Sequence, residues 1–93
     1  MMEITDIRIR KLYDESRLKA LVSVPLEQEL AIHDIKIIQG PQGLFVAMPS
    51  RKDENGLFRD IIHPITQDMR GQMEEAILRE YALQRTHFEG VRP

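Results

Sequence analysis

Residues 43–65 read GLFVAMPSRKDENGLFRDIIHPI, and this stretch predicts the centre of the fold. Two apolar runs, Leu44 to Met48 and Leu57 to Ile62, flank a polar tip from Ser50 to Gly56. The tip begins with the adjacent pair Arg51–Lys52. Sheet pairing of the two runs would fix the tip at both ends and leave its charged side chains in water. The stretch therefore predicts a strand–loop–strand unit that presents a basic pair.

The residues before this stretch predict an antiparallel hairpin. Ile4 to Leu12 alternates imperfectly between apolar and polar residues, and Tyr13 to Ser16 has the composition of a turn. Leu18 to Val24 then keeps a strict period of two, which is typical of a strand with one buried face. Pro25 is expected to end this second strand, because proline cannot donate to a strand ladder.

The third apolar run, Leu30 to Ile38, changes phase in its middle. Leu30 and Ile32 share one parity, and Ile35 and Ile37 share the other. One extra residue in a strand shifts its side chains in this way, so we expect a β-bulge at His33–Asp34. The segment from Gly40 to Gly43 contains two glycines and a proline and predicts the turn that follows.

From Thr66 onward the apolar period changes to that of an amphipathic helix. Thr66 is the expected N-cap, and Asp68 in the first turn suits the helix dipole. Residues 85–93 lose the period and are expected to form a loose tail. The predicted buried stripe consists of Met69, Met73, Ala76, Ile77 and Tyr81.

Together these elements predict an α+β fold: a curved antiparallel β-sheet of about five strands with one C-terminal amphipathic helix. Residues 1–84 would form a single domain, as the 93-residue length suggests. One helix covers only part of a five-stranded sheet. Either the sheet curls or a second copy of the chain covers the remainder, and the second option predicts a homodimer.

Composition restricts the class of function. The chain has no cysteine, which excludes disulfides, thiol catalysis and cysteine-ligated zinc. No apolar run approaches a membrane span and no signal-peptide pattern opens the chain, so a soluble, cytoplasmic protein is expected. The net charge of −2 argues against nucleic-acid binding driven by overall charge. The charges are uneven, however, with five basic and two acidic residues between Ile7 and Lys19, so a local basic face stays open.

The sequence offers little for catalysis or for a metal. Two pairs suggest metal ligands: His33 with Asp34, and Asp60 with His63. However, residues one or three positions apart point to opposite faces of a strand, so the members of each pair would not meet at one metal ion. No serine lies in a nucleophile elbow, and no glycine-rich phosphate loop is present. We therefore expect no enzyme activity, no cofactor, no metal and no small-molecule substrate.

The pair Arg51–Lys52 is the better candidate for a binding site. Arginine offers a planar fork that suits phosphate oxygens and guanine edges, and lysine adds a point charge. The alternative interpretation is a merely solvated tip, because the residues from Arg51 to Asp60 sum to zero charge. A protein-interaction module that uses an open sheet edge or face is the second functional alternative.

Several segments together form a recognisable pattern: Glu3 to Arg10, Ile32 to Ile38, Gly43 to Lys52 with the later Phe58 to Ile65, and the helical residues Arg70–Gly71 and Glu74 to Leu78. These segments resemble the SpoVG family of bacterial regulators. The similarity extends over about residues 2–83.

The resemblance implies a small dimeric β-sheet protein with a C-terminal helix that binds DNA, and in some members RNA, to regulate gene expression linked to septation and sporulation. It implies binding through Arg51 and Lys52 and through the helix region, where Arg70 is the expected contact. The family usually carries Lys-Arg at the basic pair, whereas this chain carries Arg-Lys followed by acidic Asp53–Glu54.

Overall fold

A computed structural model describes residues 2–91 of the chain, with side chains through residue 85. It shows an α+β fold, as the sequence predicted, with six strands in two antiparallel sheets and one C-terminal helix. The elements are β1 (Arg8–Leu12), β2 (Leu18–Leu26), β3 (Leu30–Gly40), β4 (Gly43–Ala47), β5 (Ser50–Lys52), β6 (Phe58–Asp60) and α1 (Gln67–Val91).

The larger sheet is an antiparallel meander in the order β1-β2-β3-β4. The predicted hairpin of the first two strands is confirmed. The predicted stop at Pro25 was wrong, because β2 continues to Leu26. The Pro25 carbonyl accepts bonds from the backbone N and Oγ1 of Thr5, which keeps this position paired although proline donates nothing.

The predicted bulge in β3 is also confirmed. Val22 pairs with Ile35 and Val24 pairs with Ile32, so Ser23 faces both His33 and Asp34. Asp34 has a φ of 63°, a left-handed conformation that aspartate tolerates better than most residues. The bulge brings Ile32 and Ile35 into the same core despite their opposite parity.

The predicted fifth strand of the main sheet was wrong. Residues 57–62 contribute only β6, which pairs with β5 in a separate two-stranded sheet. Pro49 interrupts the chain between β4 and β5, and its carbonyl accepts the amide of Ile61 just beyond β6. The two strands therefore leave the main sheet as a separate unit, here named the β5–β6 ribbon (residues 50–60).

Helix α1 begins as predicted and ends later than predicted. Thr66 Oγ1 accepts the amide of Met69 at 3.1 Å, which confirms the N-cap. Met73, Ile77 and Tyr81 are buried. The described backbone of the helix continues to Val91, whereas the sequence predicted a loose tail from residue 85. Residues 92 and 93 lie outside the described part of the chain.

The hydrophobic core lies between the helix and one face of the main sheet, and we name the opposite face of that sheet the outer face. None of the helical residues described forms a segment that is long and apolar enough to cross a membrane. The core consists of Ala20, Val22, Val24, Leu26, Ile32, Ile35, Ile37, Val46, Met48, Met73, Ile77 and Tyr81.

Candidate nucleic-acid interface

The β5–β6 ribbon places Arg51 and Lys52 in a strand rather than in the loop that the sequence predicted. Arg51 lies opposite Arg59, and Lys52 lies opposite Phe58. Successive side chains of a strand point to opposite faces, whereas cross-strand partners share a face. One face of the ribbon therefore carries two arginines, and the other carries a lysine and a phenylalanine.

Asp53 folds the turn of the ribbon. Its Oδ1 accepts the amides of Asn55 at 2.9 Å and Leu57 at 3.0 Å, and its Oδ2 accepts Arg59 Nε at 2.7 Å. The Arg59 guanidinium, followed by the Leu57 and Asn55 amides, lowers the pKa of this carboxyl group. Asp53 is thus ionised at neutral pH, and its carboxylate oxygens bind groups of the ribbon itself.

The Arg59–Asp53 ion pair changes the charge balance at the tip. Asp60 follows Arg59 in the sequence, but the structure pairs Arg59 with Asp53. Within residues 2–85, whose side chains the structure describes, no ion pair involves Arg51, which is exposed as expected. Like charges placed opposite each other repel, so an anion that contacted both guanidinium groups would stabilise the Arg51–Arg59 face.

The other face of the ribbon combines a cation with an aromatic ring. Lys52 Nζ lies 5.7 Å from the centroid of the Phe58 ring, which is a cation–π distance. Phe58 is 72% exposed, so its ring offers a solvent-accessible apolar surface beside the ammonium group. Both faces of the ribbon can therefore contact a polyanion, one through guanidinium groups and the other through a lysine beside a ring.

Among the described side chains, Arg70, the third predicted contact, does not interact directly with the basic pair. It is half-buried in the first turns of α1, and its Nη1 lies 3.6 Å from Glu74 Oε1. Among the described side chains, no hydrogen bond or ion pair joins Arg70 to Arg51 or Lys52. The structure brings together Arg51, Lys52 and Arg59, and does not gather Arg70 with them.

The histidines make local contacts. His33 Nδ1 lies 2.8 Å from the Oγ of buried Ser23, and His63 Nδ1 lies 3.1 Å from the carbonyl oxygen of Pro64. In the described residues, no group of three or more histidine, aspartate or glutamate side chains could hold a metal ion.

Three ribbon residues were missed as parts of the candidate site: Arg59, Phe58 and Asp53. The turn composition Asp53-Glu-Asn-Gly56 carried a signal for Asp53, because an aspartate side chain in a turn commonly accepts the backbone amide two residues further on. Arg59 and Phe58 could be placed only once the strand register was known.

Comparisons with known proteins all give the same family. The family model described as SpoVG matches residues 2–83. Three similar relatives carry the name "Putative septation protein SpoVG". The relative from Caldanaerobacter subterraneus subsp. tengcongensis is 58% identical over 80 residues, which cover 86% of this chain and 88% of the relative. The relative from Alkaliphilus metalliredigens is 55% identical over 82 residues, which cover 88% of this chain and 84% of the relative. The relative from Clostridium perfringens is 55% identical over 80 residues, which cover 86% of this chain and 89% of the relative.

Proposed function

This chain belongs to the SpoVG family, and from that premise we propose that it is a non-enzymatic, homodimeric, cytoplasmic regulator that binds DNA through the β5–β6 ribbon. The observation that carries the proposal is the exposed Arg51, which faces Arg59 across the ribbon and has no ion-pair partner in the described part of the chain. Its regulatory role would concern septation, in keeping with the names of the relatives, and sporulation.

The shape of the ribbon supports DNA as the ligand. A two-stranded antiparallel ribbon fits the major groove of B-DNA, which is about 12 Å wide. Arginine can bind guanine or a phosphate group in a bidentate manner, and lysine can contact a second phosphate group. Arg51 and Lys52 point to opposite faces of the ribbon, so a ribbon inserted into the groove would contact DNA on both sides.

Dimerisation would double these contacts. Two ribbons with Arg51 and Lys52 supply about four contacts, and each neutralised phosphate contributes about −0.9 to the slope of log K against log salt. We therefore expect a slope of about −3.6 in an anisotropy titration with duplex DNA. A slope indistinguishable from zero would contradict the proposal.

The decisive variant is Arg51→Ala combined with Lys52→Ala. Both residues are exposed, so the variant should fold as the parent does and lose most of its duplex binding at low salt. The matched control is Arg17→Ala with Arg79→Ala, which removes the same charge from two exposed positions outside the ribbon. If both variants bind DNA equally well, the contact surface lies elsewhere.

Arg70 is proposed as a supporting contact on α1. Its half-buried position and its pairing with Glu74 leave part of its charge engaged within the helix. Arg70→Ala should weaken duplex binding less than the ribbon variant does. A larger effect than that of the ribbon variant would move the centre of the interface to the helix.

A second candidate function is a protein-interaction module. An apolar groove of about 330 Å³, lined by residues that include Leu30, Ile62 and Ile65, favours it. Capture of partners from a lysate with and without nuclease treatment separates the two functions. Partners that remain after nuclease treatment, together with no binding of purified DNA, would favour the interaction module.

A further inference from the structure

The outer face of the main sheet carries a row of side chains across all four strands. Lys11 pairs with Leu21, Leu21 pairs with Lys36, and Lys36 pairs with Ala47. Cross-strand partners share a face, and the neighbours of Leu21 in β2, Ala20 and Val22, belong to the core. The row therefore points away from α1. Lys11 and Lys36 are two strands apart, which corresponds to about 10 Å.

A bulge adds a third cation to this face. Ile9 pairs with Val22 and Lys11 pairs with Leu21, so Arg10 is the extra residue of β1. Arg10 and Lys11 therefore both lie opposite Leu21, and Arg10 also lines a cavity of about 270 Å³ together with Leu21 and Ser23. The bulge thus breaks the usual alternation and puts two consecutive basic residues on one face.

The positive charges of this face are largely uncompensated. Arg8 is paired with Asp6, and Lys11 Nζ lies 5.1 Å from the centroid of the Tyr13 ring. Neither Arg10 nor Lys36 forms an ion pair in the portion of the chain with described side chains. Among the described residues, Asp34 is the one acidic residue that lines the 270 Å³ cavity, and His33 lies beside it.

An exposed aromatic ring lies next to these cations. Phe45 pairs with Ile38, two residues beyond Lys36 in β3, and is 46% exposed on the outer face. A Cβ atom at Gly40 would lie 3.0 Å from Phe45 Cε1, so the ring lies over this glycine. The half-buried Ile38 and Leu21 complete an apolar strip between the basic residues.

We propose that the outer face binds a single strand of nucleic acid, with Arg10, Lys11 and Lys36 at its phosphate groups and a base stacked on Phe45. The proposal deepens the proposed function, on which it rests, by assigning a second surface and a second form of ligand. Phosphate groups complement the cations, and base faces can stack on an exposed ring only when the bases are not already stacked in a duplex. The ribbon would hold duplex DNA, and the outer face would hold a separated strand.

The test uses the full chain and four labelled probes: a 12-nucleotide mixed-sequence DNA strand, its complement, the duplex of the two and the RNA of the same sequence. Arg10→Ala with Lys36→Ala should weaken binding of the single strands about tenfold and leave duplex binding within about twofold, because each lost phosphate contact removes a counterion-release contribution. The ribbon variant should show the reverse pattern. Arg17→Ala with Arg79→Ala again controls for net charge.

Two further variants separate stacking from charge. Phe45→Ala should weaken single-strand binding about tenfold, because base–aromatic stacking is lost, and Phe45→Leu should fail to restore it although it keeps an apolar side chain. Asp34→Asn removes the negative charge and suits the left-handed backbone at this position, so it should tighten single-strand binding. The RNA probe reports whether a 2′-hydroxyl is preferred, and binding of either single strand through these residues supports the proposal.

The outcomes distinguish this proposal from the proposed function. If single strands bind the outer-face variants and the parent equally, the outer-face proposal is overturned, whereas duplex binding that depends on Arg51 and Lys52 leaves the proposed function standing. If the parent binds single strands through the outer face and ignores the duplex, the ribbon proposal fails alone. If the parent binds none of the probes, both fail.

Discussion

At the scale of single residues, the Asp53 carboxylate determines the shape and the charge of the ribbon tip. It accepts two backbone amides of the turn and the guanidinium of Arg59. An acidic residue beside a basic pair would be expected to weaken anion binding. Here the carboxylate is paired with Arg59 and bonded to the turn, and the exposed Arg51 has no ion-pair partner among the described side chains.

The lowered pKa of Asp53 predicts how the ribbon responds to acid. A carboxyl group whose folded-state pKa lies below its ordinary value of 3.8 stabilises the fold above that value, and the contribution disappears as the pH falls through the lowered pKa. In an NMR titration, the amide resonances of Asn55 and Leu57 should shift with a midpoint below pH 3.8. Asp53→Asn should abolish this transition and Glu54→Gln should preserve it. A transition centred above pH 3.8 would contradict the assignment.

The bond between Ser23 and His33 predicts an unequal pair of mutational effects. Ser23 is 4% exposed, whereas His33 is exposed. His33→Ala should leave a buried hydroxyl without its partner and lower the free energy of unfolding by about 1–3 kcal/mol. Ser23→Ala should cost only about 1 kcal/mol, because water can bind His33 Nδ1. Urea unfolding of both variants measures the difference, and the opposite ranking would show that the hydroxyl does not depend on His33.

At the scale of elements, the first turn of α1 depends on its cap. Thr66→Ala removes the oxygen that accepts the amide of Met69, which should cost about 1 kcal/mol and lower Tm by about 4–8 °C for a domain of this size. Thr66→Ser keeps the oxygen and should restore most of the loss. The neighbouring exposed change Gln67→Ala should leave Tm nearly unchanged in the same thermal melts monitored by circular dichroism. Equal melting of the Ala and Ser variants would argue against the cap.

Local sequence patterns predicted where strands lie better than they predicted which strands pair. The phase slip between Ile32 and Ile35 located the β3 bulge, because a change of parity has a direct geometric cause. The run from Leu57 to Ile62 also indicated a strand, but an apolar run does not specify which strand it pairs with. The structure pairs part of it with the polar residues 50–52, which have no strand-like pattern of their own. For that reason the sequence predicted Arg51 and Lys52 as exposed, but not their opposite orientations or the roles of Arg59 and Phe58.

At the scale of the whole molecule, the apolar surface around the 330 Å³ groove, which the second candidate function would use for another protein, is also where we expect the proposed homodimer to form. The side chains at its rim include Leu30, 52% exposed, and Ile65, 91% exposed. Contiguous exposed apolar surface of this kind is typical of association sites and ligand grooves. A second copy seated here would cover the part of the core-side surface that one helix leaves open. The sequence left two options open for a sheet that one helix covers only in part, a curled sheet or a second copy of the chain, and it indicated no surface for the second copy.

Ile65→Glu tests this interface. Because Ile65 is almost fully exposed, the substitution should leave the fold intact while placing a charge in the apolar contact. Light scattering should then give the 10.9 kDa mass of one chain, whereas the parent should give about twice that mass. Leu83→Glu makes the same chemical change at an exposed position of α1 that does not line the groove, and it should remain dimeric.

Loss of the dimer should also halve the salt slope for duplex DNA to about −1.8, since one ribbon would remain per particle. A parent that is already monomeric, or an Ile65→Glu variant that stays dimeric with an unchanged slope, would remove this surface from the account of DNA binding.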